Sequence, residues 1–438
     1  MLDRIEKYLF ITLLFSIPFQ IRKIVFYEGW QFNEWLSFSI YFTDVVFFCL
    51  FAIWMYYLLK RKALINRDLY EVIIFIFFGV AGASLLFAKD MSIGLFGVLR
   101  MMEFFIFFIY AKEYAIKKFS FYDGLMAIIL GGVFQSIVAI VQFIRQTDLG
   151  LRFLGEGMLG IYIKGVAVFV NENGERVMRA YGTTPHPNVL AGYLFVAIFA
   201  LYFAWLYRKQ LNASVNYLYC ILYAILLLGL FLTFSRTIIF LWFVGLMTRG
   251  LIIGLWPKYR SKFWYSAQMR NKLISILIVT CIVVSLFTIF LWPDVISRIK
   301  MSSGDEAVQL RIYYAKESLS RGFNWFGAGA GNFIVWLKDK QPNLPEYLYQ
   351  PVHNIYLLIY SELGIIGLIC FLLLIFYSIY DFYVSNRFTD LYHYSFFLVF
   401  LSILAMGLFD HFLWTLQQGR FVLWLSIALI AAKDINFE

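Results

Sequence analysis

The chain predicts an all-α polytopic membrane protein with about 12 transmembrane helices and two large external loops, the larger between helices 9 and 10. Three observations carry this. Of its 438 residues 62% are hydrophobic, 21% are aromatic and only 15% are charged, with a mean hydropathy of +0.75. No soluble domain of this size needs so much apolar surface. Apolar stretches long enough to cross the hydrocarbon core recur along the whole chain. The basic residues between them alternate in density, as membrane topology demands.

The apolar segments lie near 8–26, 37–59, 69–88, 92–111, 121–143, 187–206, 216–234, 237–256, 273–292, 354–378, 391–409 and 413–432. The first is interrupted by Pro18 and lacks a small-residue cleavage site, so it reads as a retained helix and not a signal peptide. Lys60, Arg61, Lys62 and Arg67, then Lys112, Lys117 and Lys118, then Arg208 and Lys209 all fall on one side. So do the run from Lys258 to Lys272, Arg387 and Lys433. The positive-inside rule makes that face cytoplasmic, with both termini on it. The net charge of +10 is then mostly topology, and the Lys258–Lys272 run suits membrane lipids, not nucleic acid. Cys49, Cys220, Cys281 and Cys370 sit inside predicted spans without metal-ligand spacing, so no disulfide is expected.

The plan that follows is helices 1–5 over residues 1–145, an external loop over 146–186, helices 6–9 over 187–292, a larger external loop over 293–352, and helices 10–12 with the tail over 353–438. In the first loop, 161–170 and 176–181 flank Asn171-Glu172-Asn173-Gly174, a turn composition that predicts a short β-hairpin. The second opens with a short amphipathic piece. Ser302-Ser303-Gly304-Asp305 then signals a helix over 305–320 that carries Arg311. Gly327, Gly329 and Gly331 follow, alternating with Ala328 and Ala330, and Pro342, Pro345 and Pro351 punctuate the return to the membrane. Loops of this length in a membrane protein point to function.

The candidate chemistry gathers on these loops. His353, in Gln350-Pro351-Val352-His353-Asn354, stands where the polar loop turns into an apolar helix, at the mouth of whatever the helices enclose. A histidine there can take a proton from a substrate hydroxyl; the plainer reading is an interfacial helix cap. Arg236 follows Thr233-Phe234-Ser235 at the join of two spans, against the positive-inside bias, and Arg179 and Arg311 lie on the two loops. Each alone could be a surface arginine, but arginines converging near one histidine suit an anionic diphosphate. Tyr356, Leu357, Tyr360 and Gly364 continue the face of His353, whereas Glu362 points away, toward a neighbouring helix. Arg100 and Glu103 can pair within the fourth span, with Asp44 in the second. Such groups would serve a secondary transporter, the competing class, but no matched pair of broken helices accompanies them. A non-catalytic envelope scaffold is the third reading.

Several separate stretches resemble the O-antigen ligase and polymerase superfamily of bacterial envelope glycosyltransferases. They are Arg179 through Leu190 (RAYGTTPHPNVL), Thr233-Phe234-Ser235-Arg236-Thr237, Arg311 with Gly327-Ala328-Gly329-Ala330-Gly331-Asn332-Phe333, and His353 through Leu368 (HNIYLLIYSELGIIGL). Asp410-His411-Phe412-Leu413-Trp414 with Gln417-Gln418-Gly419 resembles the family's last external corner. The resemblance implies transfer of a glycan from undecaprenyl diphosphate, on the outer face of the cytoplasmic membrane, to lipid A-core, another repeat unit or a related acceptor. It implies His353 as the catalytic histidine and Arg236 and Arg311 as diphosphate contacts, with Arg179 a further candidate and no role carried over for His186. Asn354, Tyr356, Tyr360, Glu362, Gly329 and Gly331 are expected in support. No Asp-x-Asp motif occurs in the chain, so inverting transfer without a metal or other cofactor is expected, the arginines stabilising the leaving diphosphate.

Overall fold

The computed structural model of the chain describes residues 1–29, 32–61, 68–208, 212–255, 266–300, 306–320, 322, 324–385, 387 and 391–436. Helix makes up 73% of the chain and sheet almost none, which is the all-α architecture expected. Among the described residues, eight helices are long and apolar enough to cross a membrane, over Phe42–Lys60, Leu69–Phe87, Met91–Lys118, Phe121–Arg145, Pro187–Leu206, Ala213–Leu232, Ala267–Phe290 and Ile355–Val384. The other four expected segments are helical over Leu2–Ser16, Arg236–Leu255, Leu391–Met406 and Gln417–Ala431. The expected helix start at Ser302-Ser303-Gly304-Asp305 and the basic residues Lys62, Arg67, Lys209, Lys258, Arg260 and Lys262 lie outside the described residues.

Helix α1 (Leu2–Ser16) stops before Pro18, and the chain then extends as β1 (Arg22–Tyr27), antiparallel to β2 (Ser37–Tyr41). The span expected over 8–26 is therefore a helix followed by a strand. Proline ends the helical ladder, and the β-branched and aromatic run Ile24-Val25-Phe26-Tyr27 suits a strand better than a helix. The second expected span likewise begins with a strand; α2 (Phe42–Arg61) starts at Phe42, and Asp44 accepts the Tyr41 backbone N–H at 2.9 Å. Helix α3 (Leu69–Ser84) has a full capping box of Asp68 and Glu71. Next come α4 (Met91–Tyr110), prolonged by a π-helical turn, and α5 (Phe121–Arg145).

The predicted hairpin is present but shorter: β3 (Val168–Val170) pairs with β4 (Arg176–Met178) around the Asn171 to Glu175 turn. Residues 161–167 are turns, because Tyr181 turns its hydroxyl to the Ala167 N–H (2.6 Å) and ends the ladder there. Helix α6 (Pro187–Tyr207) is the central post of the bundle, buried over 94% of its apolar stretch. Around it stand α5, α7 (Ala213–Leu232), α8 (Arg236–Leu255), α14 (Leu391–Met406) and α16 (Gln417–Ala431). By contrast α9 (Ala267–Phe290) is only 6% buried, a peripheral span.

The long loop folds into α10 (Trp292–Ile299), α11 (Glu306–Leu319) and α12 (Phe333–Lys340) before α13 (Ile355–Val384). The glycine-rich segment is the loop's anchor. Gly364 breaks α13 with φ 71° and ψ −170°, and the freed backbone groups bond to the loop: Ile365 N–H donates to Asn324 O at 3.0 Å. In return Ala328 and Gly329 donate to the carbonyls of Ser361 and Glu362 at 2.8 and 2.9 Å. A Cβ on Gly364 would lie 2.1 Å from the Trp325 carbonyl oxygen, so only glycine permits this approach. The last expected span is also interrupted: α15 (Phe412–Thr415) ends at extended Leu416 before α16 begins.

Candidate functional site

Two adjoining cavities meet at the loop end of the bundle and share Asp410 and Phe412 as a common wall. The larger, about 1290 Å³, is lined by His186, His353 and His411, with Trp35, Tyr181 and Tyr349 among its aromatic residues. Arg179, Arg236, Arg298 and Arg311 line the smaller one, together with Asn188. A neutral, histidine-lined chamber therefore abuts a cationic basin, with one carboxylate between them.

Each arginine arrives from a different element. Arg236 opens α8 after a tight corner in which Phe234 adopts φ 48°, left-handed backbone that a non-glycine residue holds only under constraint. The constraint is aromatic: Phe234 packs on Phe169 of β3 (4.9 Å), on Phe287 of α9 (5.5 Å) and on Phe143 of α5 (5.8 Å). Arg179 follows β4, and its Nε donates to Thr233 O at 2.7 Å while Nη2 donates to Asn188 Oδ1 at 2.6 Å. Arg298 lies on α10 over the Phe169 ring, 5.3 Å from its centroid. The hairpin holds α10 through Asn171, whose Nδ2 donates to Asp294 at 3.0 Å. Arg311 is on α11; one turn later Tyr314 stacks on His353, their ring centroids 5.8 Å apart.

Two glutamines inside the bundle position the other wall. Gln142 of α5 accepts from the Tyr181 and Gly182 N–H groups (3.1 and 2.8 Å), and Gln135 accepts from Thr183 N–H at 2.7 Å. These amides give an irregular loop the partners its backbone needs away from water. The loop delivers His186 as the N-cap of α6, its Nδ1 accepting from the Asn188 N–H at 3.1 Å. Asn188 in turn donates Nδ2–H to Asp410 at 2.6 Å, so Arg179, Asn188 and Asp410 form one chain of bonds.

The charges follow from burial and from one another. Burial first, and then repulsion from Arg298, pull the Arg179 guanidinium down to about 9, which leaves it charged at neutral pH. Burial holds His411 and His186 down to about 3, and also lowers His353 against the pull of Asp410. All three rings are thus neutral bases near pH 7. Burial pushes the Asp410 carboxyl up, but the neighbouring histidines and the Asn188 amide outweigh it and keep the group well below the ordinary carboxylate value. Among the described residues, the lining of the basin carries four guanidinium groups and the one carboxylate of Asp410, a cationic surface suited to an anionic ligand.

The structure brings together His353, Arg179, Arg236 and Arg311, the residues expected to do the chemistry. It does not bring the expected supporting residues to them. Asn354 caps α13, accepting from the Tyr356 and Leu357 N–H groups. The Tyr356 hydroxyl donates to Leu404 O (2.9 Å) and that of Tyr360 to Gly322 O (2.7 Å), both packing roles. Glu362 and Gly331 line a third chamber with Arg100 and Arg420, which shares Arg22, Glu34, Trp35 and Leu416 with the large cavity, and Glu362 accepts from Trp414 Nε1 at 3.4 Å. Gly329 belongs to the loop anchor, its φ of 97° and its tight fit against Ala88 requiring glycine. Arg298, Asn188 and His411 are site residues that sequence reasoning missed. Asn188 and His411 carried a signal, since each lies in a stretch resembling the family, Arg179 through Leu190 and the last external corner. Arg298 sits in a short amphipathic piece that looks like any interfacial loop. Among the described residues, the acidic group able to offer three oxygens to a cation is Asp68, Glu71 and Glu113, far from this site and already bonded to the Lys112 ammonium.

Residues 221–372 match the family model described as O-antigen ligase. The matched segment includes Arg236, Arg298, Arg311 and His353; Arg179, His186, Asn188, Asp410 and His411 lie outside it. No curated protein matches the chain.

Proposed function

We propose that this chain, whose residues 221–372 match the O-antigen ligase family model, carries out inverting transfer of a glycan from undecaprenyl diphosphate to a sugar hydroxyl, as an enzyme of the O-antigen ligase and polymerase superfamily. The observation that carries this reading is the cationic basin of four arginines sharing a wall with the histidine-lined cavity. The diphosphate sits in the basin and the acceptor in the cavity, so the scissile bond lies beside Asp410 and Phe412.

The step needs two things that these residues supply. His353, kept neutral by burial, accepts the proton of the attacking hydroxyl. That oxygen forms the new bond to the anomeric carbon as the bond to the diphosphate oxygen breaks, and attack from the opposite face inverts the centre. The departing diphosphate gathers charge, which Arg179, Arg236, Arg298 and Arg311 offset. The proton on His353 then passes to the leaving group or to water, restoring the base. Arginines doing this work make a divalent cation unnecessary; turnover of detergent-solubilised protein should survive excess EDTA, and a loss restored by magnesium would refute this part.

The same reading places the active site on the external face of a bacterial inner membrane, with lipid A-core or a growing glycan as acceptor. The buried charges that would suit a carrier are explained without one. Arg100 bridges Asp44 (2.8 Å) and Glu103 (2.7 Å), and Gln417 donates to both carboxylates, a closed network that ties α2, α4 and α16 together. The decisive experiment replaces His353 with Ala and follows glycan transfer by purified protein. Loss of a general base should cut turnover about 10²- to 10⁴-fold with undecaprenyl diphosphate still bound; near-normal turnover would sink the assignment.

A further inference from the structure

His411 is the second ring of the large cavity and has no part in the reaction described above. Its Nδ1 lies 2.8 Å from Thr415 Oγ1, and the same hydroxyl donates to the His411 carbonyl oxygen at 3.1 Å. A hydroxyl has one proton, and a carbonyl oxygen only accepts. Both contacts are hydrogen bonds only when the hydroxyl gives its proton to the carbonyl and receives Nδ1–H from the ring. That arrangement leaves Nε2 unprotonated. Among the described residues no hydrogen bond uses Nε2, although the ring is 6% exposed and lines the cavity. The ring is held edge-on against Trp35 at 4.8 Å and against His353 at 4.9 Å. His353 differs, since its buried Nδ1 has no hydrogen-bond partner among the described residues.

The rest of the wall says what such an acceptor atom is for. Arg22 is paired with Glu34, and Lys338 with Glu346 at 2.6 Å. Asp410 is occupied by the N–H groups of His411 and Phe412 and by Asn188. Apart from Lys164, which is exposed, the described charges lining the cavity are thus matched to one another or to amide groups. Aromatic rings and neutral acceptors remain, a surface for an uncharged polyhydroxyl molecule and not for a phosphorylated one.

We propose that His411 is an acceptor-binding residue whose Nε2 accepts a hydrogen bond from the hydroxyl next to the one that attacks, so that the acceptor is an uncharged sugar presenting two free neighbouring hydroxyls. This rests on the glycosyl-transfer reading and adds the acceptor's chemistry to it. His353 takes the proton of one hydroxyl while His411 holds the adjacent one, which orients the sugar ring for attack. Thr415 acts through His411 as a positioning residue.

The test uses the full chain in detergent, with undecaprenyl-diphosphate glycan and acceptor fractions extracted from cells that make the protein. Transfer is measured against acceptor concentration, and undecaprenyl diphosphate binding is measured separately. His411→Phe should raise the acceptor KM about 10- to 100-fold, the usual cost of an unmet hydroxyl contact. His411→Gln, whose carbonyl oxygen can stand where Nε2 stands, should recover most of that loss. Thr415→Val should give an intermediate KM, and undecaprenyl diphosphate affinity should be unchanged throughout. The inference is overturned if His411→Phe leaves KM unaltered, if it lowers kcat alone, or if Gln and Phe are equally impaired. No transfer by the unaltered protein would instead sink the underlying reading, and this inference with it.

Discussion

Asn188→Asp is the sharpest perturbation of the arginine basin. In the native chain this amide faces both ways, accepting from Arg179 Nη2 and donating to Asp410, each at 2.6 Å. The carboxylate variant can still accept from Arg179 but cannot donate to Asp410, so two carboxylates confront each other. Among the described residues lining the basin, the variant also adds a second carboxylate beside Asp410. A phosphate oxygen held by Arg179 would lie some 6 Å from the new charge. At an effective dielectric constant of about 20, that repulsion is about 2.8 kcal/mol, roughly a hundredfold in affinity. Binding of undecaprenyl diphosphate to detergent-solubilised protein measures it directly, with Asn188→Ala as the neutral control. The control loses both hydrogen bonds but adds no charge, so it should bind more tightly than Asn188→Asp. Raising salt should narrow the gap between the two, because the basin is only partly buried. Equal affinity in Asn188→Asp and the native protein would refute a diphosphate site in this basin.

Other outcomes follow from the same geometry. Arg236→Lys and Arg311→Lys keep the charge but lose the planar fork, and each should weaken undecaprenyl diphosphate binding about tenfold or more in the same assay; unchanged affinity in both would remove their contact role. Gly364→Ala forces a Cβ to 2.1 Å from the Trp325 carbonyl oxygen at a φ of 71°, so it should destabilise the fold by about 3 kcal/mol or more, seen as a lowered thermal midpoint. His186 and His411 are held down to about 3, so the unfolded chain binds more protons than the folded one below the ordinary histidine value of about 6.5. Their contribution to stability is fully present above that value and is lost as pH falls toward 3. Thermal midpoints should therefore drop progressively on acidification, and less so in His411→Gln.

The recognition of His353 and three of the arginines rested on where they stand in the chain. A charged or titratable residue at the join of an apolar span and a loop has little reason to be there unless it serves the site, so Arg236 and His353 were visible. Arg298 was not, because an arginine on a short amphipathic helix is also what interfacial anchoring produces. Its place in the basin appears only when the Asn171–Asp294 bond and the Phe169 ring bring α10 against the hairpin. Tyr356 and Tyr360 show what spacing leaves open. Helical spacing does put them on one face with His353, but that face turns to Leu404 and Gly322, and a period says nothing about which neighbour a face will meet.

What the amino-acid order determined by itself was set by local physics. Apolar length dictates membrane-spanning helices, proline and glycine dictate where they stop, and a turn composition between β-branched runs dictates the hairpin. Those rules act within about twenty residues. The tertiary structure alone decided that the helix after His353 breaks at Gly364 to receive the loop, and that two expected spans begin or end as strands. It alone brought residues 179, 236, 298 and 311 around one basin and residues 186, 353 and 411 around the next. Such convergence depends on packing between elements distant in sequence, where Asp410 can bond Asn188 across more than two hundred residues. No spacing along the chain encodes that contact, because it exists only once the helices between have closed around α6.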